Sequence, residues 1–295
     1  MKKLMAIGLA VAMAFGLVGC GGSQSAAVSA ETSSTESVSE SQEETSTEGT
    51  STKDVNSVEM TGTIDFEIAE GVNEYGNKSL MLTYTNNTNH PIIDLEFDAD
   101  LKTDLTAEEE DLLKTLQQET DVKDDDLSWA YFRSYNQCYT EPGETSKPSS
   151  FTFDLNTISD PEYYNLCDES TLGIIYQNGD KLYTTIYNID SKLFVSASPR
   201  GNAYDWFTGE VASEIPKFED HPTLVTVDED GYGVAMVYNV SLDEYESYVD
   251  STKDAGFDNE IYDLGSGACF SNEDGVQLNY YYDSSSNVAG VSFNK

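Results

Sequence analysis

The strongest constraint on this chain's fold is a series of short segments in which apolar and polar residues alternate. Thr63–Ile68 alternates at every position, which is the period of a half-buried strand. Leu80–Thr85 follows and is expected to stop at the polar cluster Asn86–Asn89. Ile92–Phe97 places its odd-numbered apolar residues on one face. Short strands with turns between them predict an antiparallel β-sandwich.

One helix and one tight hairpin are predicted within this β region. Thr106 and Glu109 have the spacing of a helix capping box, and the leucines that follow form one apolar face. This indicates a helix over 106–119. Asn178 and Gly179 form the Asn-Gly pair that is typical of a two-residue hairpin turn.

The last part of the chain, residues 202–295, has the pattern of a small α+β domain. A predicted hairpin around Asp228–Gly231 precedes a helix, for which Ser241 and Glu244 supply the capping box. The apolar stripe of this helix is predicted to be buried: Leu242, Tyr245, Tyr248, Val249 and Thr252. Further strands follow, so we expect one helix across one face of an antiparallel sheet.

Two parts of the chain resemble modules of bacterial surface proteins. Leu82–Thr88, Ile93–Asp100 and Pro142–Thr145 resemble the immunoglobulin-like modules of Gram-positive surface lipoproteins, which have an N-x-T turn and a PGE-T turn at these places. This resemblance implies an interaction scaffold rather than a particular activity. A second resemblance, to an uncharacterised domain at the C-terminus of many Firmicutes lipoproteins, rests on the order of Trp206, Ile215, Pro216, Tyr245, Tyr248, Ala255, Gly256, Phe257, Glu273, Asp274, Gly275 and Tyr280.

The predicted fold class is therefore mainly β. An antiparallel immunoglobulin-like β-sandwich with one inserted helix is expected at 58–201. A small α+β domain, with an antiparallel sheet and one helix, is expected at 202–295.

The N-terminus has the pattern of a secretion signal. Lys2 and Lys3 precede an uncharged apolar run, Leu4–Gly19, which is shorter than the about 20 residues that a membrane-spanning helix needs. The run ends in Leu-Val-Gly-Cys and resembles the lipobox of bacterial lipoproteins. That resemblance implies cleavage after residue 19 and a diacylglycerol on Cys20, which anchors the chain to the membrane. The alternative is an ordinary signal peptide with an unrelated cysteine.

Residues 20–57 are predicted to be a disordered tether. They are rich in Ser, Thr and Glu and contain no aromatic residue, so they cannot bury enough apolar area to offset chain entropy. A flexible coil of this length spans about 35 Å. The tether is expected to hold the folded part away from the membrane.

The charge and histidine content of the chain argue against several classes of function. The chain has 54 Asp+Glu against 15 Lys+Arg, for a net charge of −39. Nucleic-acid binding and docking to anionic lipid through a basic patch are not expected at this charge. The chain has only 2 His, which disfavours zinc enzymes and histidine-dependent nucleophiles.

Cysteines other than Cys20 offer one disulfide candidate. Cys138 and Cys167 lie in the same predicted domain, and an extracellular compartment permits a bond between them. The alternative is that these two and Cys269 are buried thiols that pack as small apolar side chains. The sequence contains no CxxC motif.

Clustered aspartates are the only metal candidates. Asp98 and Asp100, with Asp104, could converge with Asp124, Asp125 and Asp126 on a calcium ion, for which carboxylate oxygens are suitable ligands. Acidic clusters beside turns are more often solvated, so no firm metal site and no cofactor are assigned.

Catalytic motifs are absent from the sequence, which contains no G-x-S-x-G motif and no dinucleotide or P-loop fingerprint. We therefore expect a non-enzymatic lipoprotein, anchored on the extracellular face of the cell membrane, that contacts another protein or a wall polymer. Two alternatives remain open. One is a calcium- or small-ligand-binding lipoprotein, and the other is a carboxylate-dependent hydrolase of cell-wall glycans.

Overall fold

The protein is described here from a computed structural model, which covers residues 58–73, 76–120, 131–153, 161–264 and 267–295. These residues belong to one compact unit. Its strands are β1 (Gly62–Val72), β2 (Lys78–Thr88), β3 (Ile92–Leu101), β4 (Tyr131–Asn136), β5 (Ser149–Phe153), β6 (Cys167–Asn178), β7 (Lys181–Asn188), β8 (Leu193–Phe194), β9 (Ser198–Asn202), β10 (Thr223–Glu229), β11 (Tyr232–Tyr238), β12 (Asn259–Asp263), β13 (Gly267–Ser271), β14 (Gln277–Asp283) and β15 (Val288–Asn294). Its α-helices are α1 (Ala107–Thr120) and α2 (Leu242–Asp254).

The first sheet folds over on itself into two layers. Within the described residues it has nine strands in the antiparallel order β1-β2-β5-β4-β3-β6-β7-β8, with β9 also paired to β7. Strand β5 connects the layers, because its first residues pair with β2 and its last residues pair with β4. Phe66 of β1 then meets Phe97 of β3 edge-on, with 5.3 Å between ring centroids. Both layers contribute to one hydrophobic core.

The second sheet carries α2 on one face. Its six described strands are antiparallel in the order β10-β11-β15-β14-β13-β12. Tyr245 of α2 stacks on Tyr282 of β14, and Tyr248 packs edge-on against Tyr280. Tyr281 points to the opposite face, as strand alternation requires. This sheet has its own hydrophobic core, built largely from aromatic side chains.

The structure confirms the mainly β, antiparallel fold class. The local signals are also confirmed. Ser241 and Glu244 form a reciprocal capping box at the start of α2, and Thr106 and Glu109 do the same for α1. Gly179 has a φ of 62° in the turn between β6 and β7, a conformation that favours glycine.

Two local expectations were wrong. Strand β2 does not stop at Asn86 but continues to Thr88. The side-chain amide of Asn86 donates to the backbone oxygens of His90 and Thr140, so this polar residue can be buried within the strand. Leu242 is 49% exposed rather than part of the buried stripe of α2. Leu242 is the first residue of the helix, and the buried residues of the helix begin at Tyr245.

The two hydrophobic cores lie on either side of the predicted boundary between residues 201 and 202. The first core draws on residues 60–197 and the second on residues 206–293. Division of the chain into separate domains at this boundary stays a prediction.

Candidate functional site

The two sheets meet at a junction that contains backbone and side-chain hydrogen bonds. The Thr223 amide at the start of β10 donates to the Ala203 carbonyl oxygen at 2.6 Å. Lys147, just before β5, donates from Nζ to the backbone oxygen of Ser284 at 3.1 Å and to Oδ1 of Asn287 at 3.2 Å. Lys147, from the part of the chain that forms the first sheet, thus contacts the turn between β14 and β15.

A groove of about 420 Å³ runs along this junction. Its volume lies within the roughly 300–1,000 Å³ that is typical of small-ligand sites. Both sheets supply its walls, and we call it the junction groove; it includes Tyr135, Gln137, Lys147, Asp283, Ser285 and Ser286. An adjoining depression of about 410 Å³ shares Cys138, Lys147 and Ser286 with it.

One positive and one negative side chain line the junction groove. Lys147 is exposed and donates hydrogen bonds to two uncharged oxygens. Burial would raise the pKa of Asp283, but hydrogen bonds from Ser285 and Ser286 outweigh it, so the pKa of this carboxyl is lowered. Asp283 is therefore ionised at neutral pH. With this pair of charges and a polar lining, the groove suits a polar ligand such as a sugar polymer or a peptide.

Asp94 is buried, and its side chain forms a hydrogen bond with Gln137, which lines the junction groove. Burial raises its pKa to about 7, the negative charge of Glu96 adds to this rise, and a hydrogen bond with the Gln137 side chain opposes it. Its Oδ1 atom has no hydrogen-bond partner. The hydroxyl of Tyr238, from the second sheet, is also buried without a partner. Burial raises the pKa of Tyr238, and the charge of Asp94 adds to this rise across the junction.

Sequence reasoning missed Asp94 as a site residue. Strict alternation of this strand in the sequence predicts Ile93, Leu95 and Phe97 on the buried face and Asp94 on the solvent side. The second sheet buries that side instead. The one signal that could have found it is an acidic residue beside two isoleucines at the start of a strand.

The calcium candidates do not converge in the described residues. Arg133 of β4 takes up Asp98, with 2.8 Å between Nε and Oδ1, and lies 2.8 Å from Oε1 of Glu96. Asp100 is exposed on the same strand. Asp124–Asp126 lie outside the described residues, and in the part that is described no group of three or more His, Cys, Asp or Glu is arranged to hold a metal ion. A guanidinium, rather than a cation from solution, neutralises Asp98.

The disulfide candidate is not formed. In the part of the chain that the structure describes, three cysteines are buried and form no disulfide: Cys138, Cys167 and Cys269. Cys167 pairs with Leu101 at one end of β3, whereas Cys138 follows Asn136, which pairs with Leu95. Leu95 and Leu101 are about 20 Å apart at roughly 3.3 Å per strand residue. A disulfide needs Cα atoms within about 7 Å, so Cys138 and Cys167 are too far apart.

Ser241, Glu244 and His221 meet, but not in the order of a catalytic triad. Oε2 of Glu244 accepts from Oγ of Ser241 at 2.6 Å, and its Oε1 lies 3.5 Å from Nε2 of His221. The carboxylate is thus in the middle, where a triad has the imidazole. This arrangement caps α2 and does not activate the serine. The other histidine, His90, is buried and stacks on Tyr176.

Cys20, the predicted signal peptide and the predicted tether all lie outside the described residues. Within the described ranges, none of the helices has the length and apolar character to cross a membrane. No protein-family model matches the chain, and no curated protein or solved structure matches it.

Proposed function

We propose that the chain is a lipid-anchored protein on the extracellular face of a Gram-positive cell membrane, where it binds another protein or a wall polymer without catalysing a reaction. One observation carries the proposal. Two lysines, a short apolar run and Leu-Val-Gly-Cys follow one another at the N-terminus, and an acidic segment without aromatic residues separates them from the folded part. This order suits cleavage before Cys20, lipid attachment and a spacer.

The folded part supplies surfaces for binding. Its first sheet is proposed as an immunoglobulin-like module, and the resemblance of Leu82–Thr88, Ile93–Asp100 and Pro142–Thr145 to such modules implies an interaction scaffold. The junction groove is the concave place where a ligand contacts both sheets at once, and its hydroxyl, amide and charged side chains match a polyhydroxylated wall polymer. A spacer of about 35 Å allows these surfaces to reach the wall.

Anchoring is tested by comparing the full chain with Cys20→Ser in a Gram-positive host that is fed an alkyne fatty acid. The proposal predicts label on the full chain, recovery in the membrane fraction and digestion by protease added to intact protoplasts. Cys20→Ser should carry no label. Equal labelling of both proteins, or resistance of the full chain to external protease, contradicts the proposed location.

Binding is tested by sedimentation of the detergent-purified full chain with wall sacculi. The proposal predicts retention that Lys147→Met lowers at least fivefold, because Lys147 lies in both depressions of the junction. Lys114→Met is the matched control, since Lys114 is an exposed lysine of α1 away from the groove. Equal retention of the two variants would exclude the junction groove as the place of wall binding.

A further inference from the structure

The junction between the sheets contains a buried carboxyl group. Asp94 of β3 is 4% exposed, and its Oδ1 atom has no hydrogen-bond partner. Tyr238 of β11 comes from the other sheet, is completely buried and has an unpartnered hydroxyl. Tyr238 is also not among the residues that form the second hydrophobic core. The two side chains therefore belong to the junction itself.

The surroundings of Asp94 favour its neutral form. Glu96, on the same strand, repels a negative charge at this position, and Arg200 of β9 attracts one. The phenols of Tyr84, Tyr238 and Tyr281 are uncharged at neutral pH and approach from β2, β11 and β14. Burial raises the pKa of each, and the charge of Asp94 adds to the rise. An ionised carboxylate that is buried and lacks a hydrogen bond on one oxygen is far more costly than a neutral acid.

We propose that Asp94 is a pH-sensitive latch between the two sheets, which keeps the junction closed while it is protonated and favours opening once it is ionised. On ionisation the proton passes to solvent, and opening lets water reach the carboxylate. The junction groove has walls from both sheets, so the groove widens as the latch opens. The latch does not depend on the proposed function, because it concerns the two sheets and needs no ligand.

The direction of the pH dependence follows from linkage. Burial, and then the charge of Glu96, raises the pKa of Asp94 from 3.8 to about 7 in the closed junction. In the open junction the carboxyl is hydrated and its pKa returns toward the ordinary value. The closed state then binds more protons than the open state between these two values. The opening equilibrium should rise up to about tenfold per pH unit in that range and level off above it.

Hydrogen exchange of the full chain tests the latch between pH 5 and 8.5, after correction for the intrinsic exchange rate. The informative amide is that of Thr223, which donates to the Ala203 oxygen at the junction. Its protection should fall by up to about tenfold per pH unit and become constant above about pH 7. The amides of Phe97 and Val291, in the middle of each sheet, serve as references and should keep their protection.

Two variants test whether Asp94, rather than another acidic residue, causes the pH dependence. Asp94→Asn should make the protection of Thr223 independent of pH, whereas Asp100→Asn, at an exposed position of the same strand, should leave the wild-type pH dependence. The proposal is overturned if the corrected protection of Thr223 is constant with pH in the wild type, or if it varies equally in Asp94→Asn.

A carboxyl ¹³C titration of the wild type needs no variant. The Asp94 signal should titrate near pH 7, and titration near pH 4 would overturn the proposal.

Discussion

The ring of Tyr281 on β14 occupies the space that a side chain at Gly290 on β15 would need. The two residues are directly paired, and a Cβ added to Gly290 would overlap the Tyr281 ring. The ring can therefore lie across β15, where its hydroxyl reaches Sδ of Met236 at 2.9 Å. This contact lies on the face of the second sheet that is turned away from α2.

Gly290→Ala should lower the free energy of unfolding by about 1–3 kcal/mol, because the Tyr281 ring has to move. Urea unfolding of the full chain measures this change. Gly267→Ala is the matched control in the same sheet, since an added Cβ there would lie 3.5 Å from the nearest atom, the Tyr280 oxygen. The control should change stability by less than about 0.5 kcal/mol. Equal effects of the two substitutions would contradict the Tyr281–Gly290 packing.

Arg133→Met should destabilise the protein by about 1–3 kcal/mol, because it leaves Glu96 and Asp98 side by side without their shared cation. Lys114→Met breaks the exposed pair with Asp111 and should cost less than about 0.5 kcal/mol. Chemical unfolding at low and high salt measures both. If the two variants lose the same stability, Arg133 does not have the structural role assigned to it.

Ser241→Ala should cost about 1 kcal/mol at pH 7, because it removes the cap of α2. Hydrogen bonds from Ser241 lower the pKa of Glu244, so this contribution is present above the ordinary pKa of the carboxyl and is lost as pH falls through the lowered one. The cost of Ser241→Ala should therefore shrink toward pH 3. Ser247→Ala, on the exposed face of the same helix, should have little effect at either pH. A cost that is independent of pH would contradict the capping box.

Alkylation of the denatured, unreduced protein should modify Cys138, Cys167 and Cys269 alike, because none of the three is in a disulfide in the structure. Peptide mass spectrometry measures the modification at each site. The native protein should react slowly at all three, since each is buried. Protection of Cys138 and Cys167 against alkylation until reductant is added would show that the disulfide forms after all.

Local signals in the sequence were sufficient for most of the secondary structure. The capping box at Ser241 and the turn at Gly179 each depend on residues that are close in the chain, and both are found where the pattern predicts them. The alternation of β14 likewise separates Tyr281 from Tyr280 and Tyr282. Such features need no knowledge of distant contacts.

Features that depend on distant partners could not be predicted in this way. The sequence pattern predicts that Asp94 is an exposed residue of a half-buried strand, but in the structure the second sheet covers it. The sequence pattern predicts that Asp98 is a cation ligand, but the pairing of β3 with β4 brings Arg133 next to it. The register of the strands also places Cys138 and Cys167 too far apart for a disulfide. This register, which sets the residues opposite Leu95 and Leu101, cannot be predicted from the spacing of the two cysteines in the sequence.

The lipid anchor on Cys20 is the central claim about this protein, and mass spectrometry of the mature N-terminus tests it most directly. The protein is purified from the membranes of a Gram-positive host that expresses the full chain, and its N-terminal peptide is sequenced by fragmentation. We predict a peptide that begins at Cys20 and carries a diacylglycerol on the sulfur. A mature chain that begins at any other residue, or that begins at Cys20 with a free thiol, would contradict the account.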